Sequence, residues 1–115
     1  MSYKEGEEST FTHFGKEYLV DDLIALTKHM SVKSLEISRL DWIFEFSTPD
    51  ESRVDSADLS IPIIVTKDIV DGKTQYIVLD GLHRLSKADR LGKKYIQCYI
   101  VPKDEIENLR EIKRK

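Results

Sequence analysis

Two periodicities divide the apolar positions of this chain. Ile61-Pro62-Ile63-Ile64-Val65-Thr66 is a nearly continuous β-branched run, which predicts a core strand with Pro62 close to its start. Asp71-Gly72 is a hairpin signal within a slightly extended turn, and Tyr76-Ile77-Val78-Leu79 reads as the antiparallel return strand. That strand stops at Asp80-Gly81. Leu82, Leu85, Ala88 and Leu91 then recur at intervals of three, the apolar face of a helix closed by Gly92. Tyr95 to Val101 predicts a last core strand ended by Pro102. Lys103 to Arg114 reads as a terminal helix with Ile106, Leu109 and Ile112 turned inward.

The first half is patterned less sharply. Residues 1–12 are polar and without period, and a loose N-terminal segment is expected there, followed by one domain over 13–115. Leu19, Leu23 and Leu26 form one stripe of a helix that Asp21 or Asp22 can cap and that runs to about Met30, with His29 on its surface. Val32 to Ile37 alternates as a half-exposed strand. Leu40 to Phe46 fits a strand, a turn or a short helix, with Trp42 as core or pocket wall. Ser47-Thr48-Pro49-Asp50 is a turn with a capping residue. A short polar helix follows over Glu51 to Leu59. Arg53, Ser56 and Ser60 share a side only if that helix persists, and a solvated face is the simpler reading.

The elements together predict an α/β (α+β) domain, a small mixed sheet with helices packed on it. Its 115 residues suffice for one modest core. The net charge of −3 argues against a DNA-binding face, and no apolar run is long enough to span a membrane. No signal-peptide pattern opens the chain, so a cytoplasmic protein is expected. The single cysteine, Cys98, lies in a strand pattern and reads as a buried thiol. His13, His29 and His83 have no metal-ligand spacing, and neither a P-loop, a G-x-G-x-x-G nor a G-x-S-x-G occurs.

The chemistry gathers where the Tyr76–Leu79 strand gives way to a helix. The first amides of a helix lack internal acceptors and favour negative charge. Gly81, Leu82, His83 and Arg84 stand at that junction, and Lys87 lies on the His83 face one turn later. Such a cluster either holds an anion, most often phosphate, or is satisfied internally by Asp80. A magnesium ion arriving with a nucleotide needs one or two carboxylates, which Asp80 or Asp58 could supply. The protein alone offers no metal site.

The stretch Ile61 to Val101 resembles the ParB/sulfiredoxin superfamily. It carries Pro62-Ile63-Ile64-Val65, then Val78-Leu79-Asp80-Gly81-Leu82-His83-Arg84 with Ala88 and Leu91-Gly92, then the Tyr95–Val101 strand. Val32 to Ile37 and Leu40 look like the family's opening strand and turn. The resemblance implies a nucleotide, ATP or CTP with Mg2+, whose phosphates are held by Gly81, His83 and Arg84. It also implies help from Arg53, Ser56 and Ser60, which match the spacing of a basic residue and two hydroxyls in sulfiredoxins. Sulfiredoxins place a catalytic cysteine where Leu82 stands, so reduction of sulfinic acids is not expected. The helix-turn-helix domain that follows in chromosome-partition ParB proteins is not seen before Lys115, so centromere binding is not expected either.

The leading expectation is a nucleotide-binding enzyme that hydrolyses NTP or transfers a phosphoryl group to a small acceptor, as relatives that phosphorylate free serine do. His83 and Asp80 would be its catalytic pair. The alternatives are a non-enzymatic module that senses a nucleotide or grips a protein, and a ParB-like nuclease.

Overall fold

The computed structural model describes residues 9–113. In chain order the elements are β1 (Thr10–His13), β2 (Lys16–Leu19), α1 (Val20–Leu26), β3 (Lys33–Glu36), α2 (Glu51–Val54), β4 (Ile63–Val70), β5 (Lys73–Asp80), α3 (Leu82–Arg90), β6 (Tyr95–Ile100), α4 (Lys103–Glu107) and β7 (Glu111–Ile112). Three short 3₁₀ turns join them, at Thr27–His29, Ile37–Arg39 and Asp41–Glu45. The mixed α/β architecture expected of the sequence is present, with two sheets rather than one.

The larger sheet has the order β3-β6-β4-β5, with β6 parallel to β4 and the other neighbours antiparallel. The chain leaves β5, runs through α3 and returns as β6 on the other side of β4. Successive residues of a strand face opposite ways. Ile63 and Val65 therefore join a core beneath α3 with Leu85, Ala88 and Cys98, while Ile64 joins a second core with Phe11, Tyr18, Leu23, Val101 and Ile106. Burial on both faces is why the β4 sequence is apolar without alternation. The smaller sheet, β1-β2-β7, closes the second core.

Several elements depart from their sequence pattern. Thr10 to His13 is a paired strand rather than loose chain, because Phe11 packs into the second core and His13 is buried as well; residues 1–8 lie outside the described part. Helix α1 takes Leu19 as its N-cap without a side-chain bond, and Asp21 and Asp22 fall inside its first turn. The terminal helix stops at Glu107 instead of reaching Arg114. Glu111 and Ile112 pair with Tyr18 and Glu17 of β2, whose edge would otherwise be open; Arg114 is outside the described residues. The β4–β5 turn is tighter than expected, since Val70 pairs with Lys73 and both Asp71 and Gly72 have positive φ, at 51° and 76°. Helix α3 ends as predicted. Lys93 N–H donates to Ala88 O at 3.1 Å and Gly92 N–H to Asp89 O at 3.0 Å, a Schellman closure. Among the described residues, no helix is long and apolar enough to cross a membrane.

Candidate functional site

The junction of β5 and α3 turns on Gly81, whose φ of 121° is a conformation L side chains rarely adopt. A side chain there would also overlap Ile63, whose Cβ would lie 2.7 Å from the added carbon. Glycine thus lets the turn close onto β4. Gly81 O accepts from Leu85 N–H at 2.9 Å, and no side chain caps the helix. A hollow of about 240 Å³ lies at the start of this nine-residue helix, where Gly81 and His83 line it. Arg53, Ser56, Asp58, Asp80 and Arg84 also line it. A second hollow, of about 310 Å³, shares Arg53, Asp80, Gly81 and His83 with the first and is bounded elsewhere by Ser9, Thr10, Ile43, Ser47 and Leu82.

The cations at the junction divide into two kinds. Arg84 is an internal brace. Its guanidinium donates to Asp80 Oδ2 at 2.9 Å, to Pro62 O at 2.8 Å and to Ile61 O at 3.3 Å, joining α3, β5 and the entry to β4. The internal Asp80 pairing that the sequence allows is formed, and Arg84 lines the first hollow as well. Lys87 does not line either hollow. Its ammonium donates to Asp55 O and Ala57 O, both at 2.9 Å, and so holds the loop after α2. Arg53 is the exception: it lines both hollows, and among the described residues its guanidinium makes no hydrogen bond or ion pair.

Helix α2 ends at Val54, so Arg53, Ser56 and Ser60 do not form a helical face. Arg53 and Ser56 reach the first hollow nonetheless. Ser60 does not line it; its hydroxyl donates to Asp58 Oδ1 at 2.6 Å and its amide to the same atom at 2.9 Å. Those two bonds hold the Asp58 carboxyl below its usual range, the hydroxyl contributing most. Ser56 Oγ donates to Arg53 O at 3.3 Å.

His83 carries a link that the sequence does not signal. Its Nε2 accepts from Asp50 N–H at 3.1 Å, across 33 positions. A nitrogen that accepts is unprotonated, so the neutral ring carries its proton on Nδ1. Burial pushes the His83 pKa down and the Arg53 charge adds to this, against a smaller opposing effect of Asp50. Asp50 in turn caps α2, accepting from Ser52 N–H at 3.0 Å and Ser52 Oγ at 2.8 Å. A forked pair of 2.6 Å bonds from Arg90 to Glu51 fastens α2 to α3. The site is therefore a rigid turn, a neutral imidazole and one untethered guanidinium, with two carboxylates on the rim. Among the described residues, no group of three His, Cys, Asp or Glu is placed to hold a metal ion.

No protein-family model and no curated protein matches the chain. Among solved structures, a crystal structure of sulfiredoxin from Arabidopsis thaliana is similar, with a TM-score of 0.47 and 21% identity over 67% of this chain and 93% of that one. A likeness of that size assigns no activity.

Proposed function

We propose that the β5–α3 junction binds the phosphates of a nucleotide. What supports this most is that the uncapped start of α3 and the untethered Arg53 meet in the same hollow. Helix amides favour an anion, and a guanidinium adds forked, charge-assisted bonds to it. Neutral His83, with its proton on Nδ1, is a donor of hydrogen bonds rather than a general base. The adjoining hollow leaves room for the remainder of the ligand.

Phosphoryl transfer is the second reading, and the Asp58 and Asp80 carboxylates on the rim favour it. Each commits one oxygen to an internal partner, which leaves the other for a magnesium ion brought by the nucleotide. ATP or CTP is the ligand to test. In calorimetric titration with magnesium, saturable binding is expected, weakened roughly tenfold or more by Arg53→Ala, the loss of one charge-assisted contact. Binding unchanged in that variant, or no binding of either nucleotide, refutes the reading. Phosphate release on incubation separates an enzyme from a module that binds without turnover.

A further inference from the structure

A separate hollow, away from the junction, lies four residues back along β5, roughly 13 Å at a strand's rise per residue. It measures about 570 Å³ and is lined by Ser38, Arg39, Trp42, Lys67, Gln75 and Tyr76, with Thr74 at its end. Lys67 stands opposite Tyr76 in the β4–β5 register. The Arg39 guanidinium carbon lies 5.8 Å from the Tyr76 ring centre and Lys67 Nζ lies 6.0 Å from it, so two cations converge on one ring. No acidic side chain lines this groove. Among the described residues, neither cation makes an ion pair or a side-chain hydrogen bond, whereas Arg84, Arg90 and Lys103 are all paired with carboxylates. Phe46 extends the surface: it is 75% exposed and meets Trp42 edge-on, with ring centres 5.8 Å apart.

We propose that this groove docks an acidic, partly apolar segment of another protein. Two features point there. Arginine, tryptophan and tyrosine are the residues that most often dominate protein–protein binding energy, and here they share one concavity. The two cations are uncompensated in a chain of net charge −3, so the missing charge is to come from the partner. Its carboxylates meet Arg39 and Lys67, and an apolar side chain covers Phe46 and the Trp42 edge. The partner does not add a strand at this point. Although β5 is the edge of its sheet, the Trp42 indole N–H already occupies Tyr76 O at 3.0 Å, so the grip is through side chains.

The test is an NMR titration of the whole chain with a blocked synthetic peptide alternating glutamate and leucine, beside a lysine–leucine control. Saturable shifts are expected at Arg39, Lys67, Tyr76 and the Trp42 indole with the acidic peptide alone. The double variant Arg39→Glu, Lys67→Glu should weaken binding at least tenfold. Both residues are exposed, so its melting temperature should match the parent's. The proposal is overturned by absent binding, by equal binding of the lysine peptide, or by affinity that survives the charge reversal. Tighter binding of an oligothymidine at the same residues would assign the groove to nucleic acid instead. A parent dimer dissociated by the double variant would assign it to a second copy of this chain. Arg53→Ala should leave the titration unchanged, which keeps this result separate from nucleotide binding.

Discussion

Arg84 shows how a residue that a sequence marks for a ligand is also claimed by the fold. Its place after Gly81 and His83 marks an anion site, but its guanidinium points back to Asp80 and to the Ile61 and Pro62 carbonyls. The carboxylate four residues away was readable. The two carbonyls, 23 and 22 positions away, were not, because nothing in a local pattern records a main-chain acceptor brought in by the sheet. Arg84→Ala leaves a carboxylate and two carbonyls short of a donor, so it should destabilise the fold by about 1–3 kcal/mol. Chemical denaturation of that variant checks the figure. A loss of nucleotide binding in it, with stability unchanged, would instead return Arg84 to the ligand. Lys87 follows the same logic: a flexible cation on a helix face is read as a ligand until two carbonyls of a distant loop claim it.

At the scale of elements, the legible parts were those whose burial is written in side-chain period. Strands β4, β5 and β6 and helix α3 follow from runs of apolar residues and from the glycines that bound them. The region from Lys103 onward departs from its pattern, because Ile106, Leu109 and Ile112 keep a helical spacing while the edge of β2 captures Glu111 and Ile112. Local period does not record an open sheet edge. The β5–α3 turn is the element on which the candidate site depends, and it tolerates no side chain at Gly81. Gly81→Ala should force the turn away from Ile63 and lower the melting temperature by several degrees, since both a positive φ and a steric overlap oppose it. A variant that melts with the parent and keeps its hydrogen-exchange protection at Leu85 would show that the turn can relax. Helix α2, only four residues long, owes its place to ties from outside: Asp50 N–H to His83 and Glu51 to Arg90. Those ties bring Arg53 to the hollow without any helical face to announce it.

Across the whole molecule, two buried or half-buried histidines contribute to the response to acid near neutrality. His13 on β1 is 5% exposed, and its Nε2 lies 4.0 Å from Asp68 Oδ2 on β4, both atoms lacking a hydrogen-bond partner among the described residues. Asp68 Oδ1 is taken by Ile69 N–H at 2.7 Å and by Lys103 of α4 at 3.3 Å. Burial pushes the His13 pKa below its ordinary 6.5, with Lys103 acting the same way and Asp68 and Glu107 opposing. His83 is lowered too, by burial first. A histidine whose folded pKa is depressed binds more protons unfolded than folded. Its contribution to stability is complete above 6.5 and is lost as the pH falls through the depressed value. Melting temperature should therefore fall between about pH 7 and about pH 5, and His13→Gln should flatten part of that slope. A melting temperature that rises on acidification would mean that His13 closes onto Asp68 as an ion pair instead. The Cys98 thiol adds nothing in this range, because burial pushes it up to about 11.

The chain's single tryptophan lies in the groove at Tyr76 and takes no part in either hollow at the β5–α3 junction. Its indole is half-buried, tethered to a main-chain carbonyl and in contact with an exposed phenyl ring. The natural fluorescence of the molecule is thus an optical label with one address. It will shift to the blue or change in intensity when that surface is covered by an apolar side chain, and it will not register directly what enters beside Arg53.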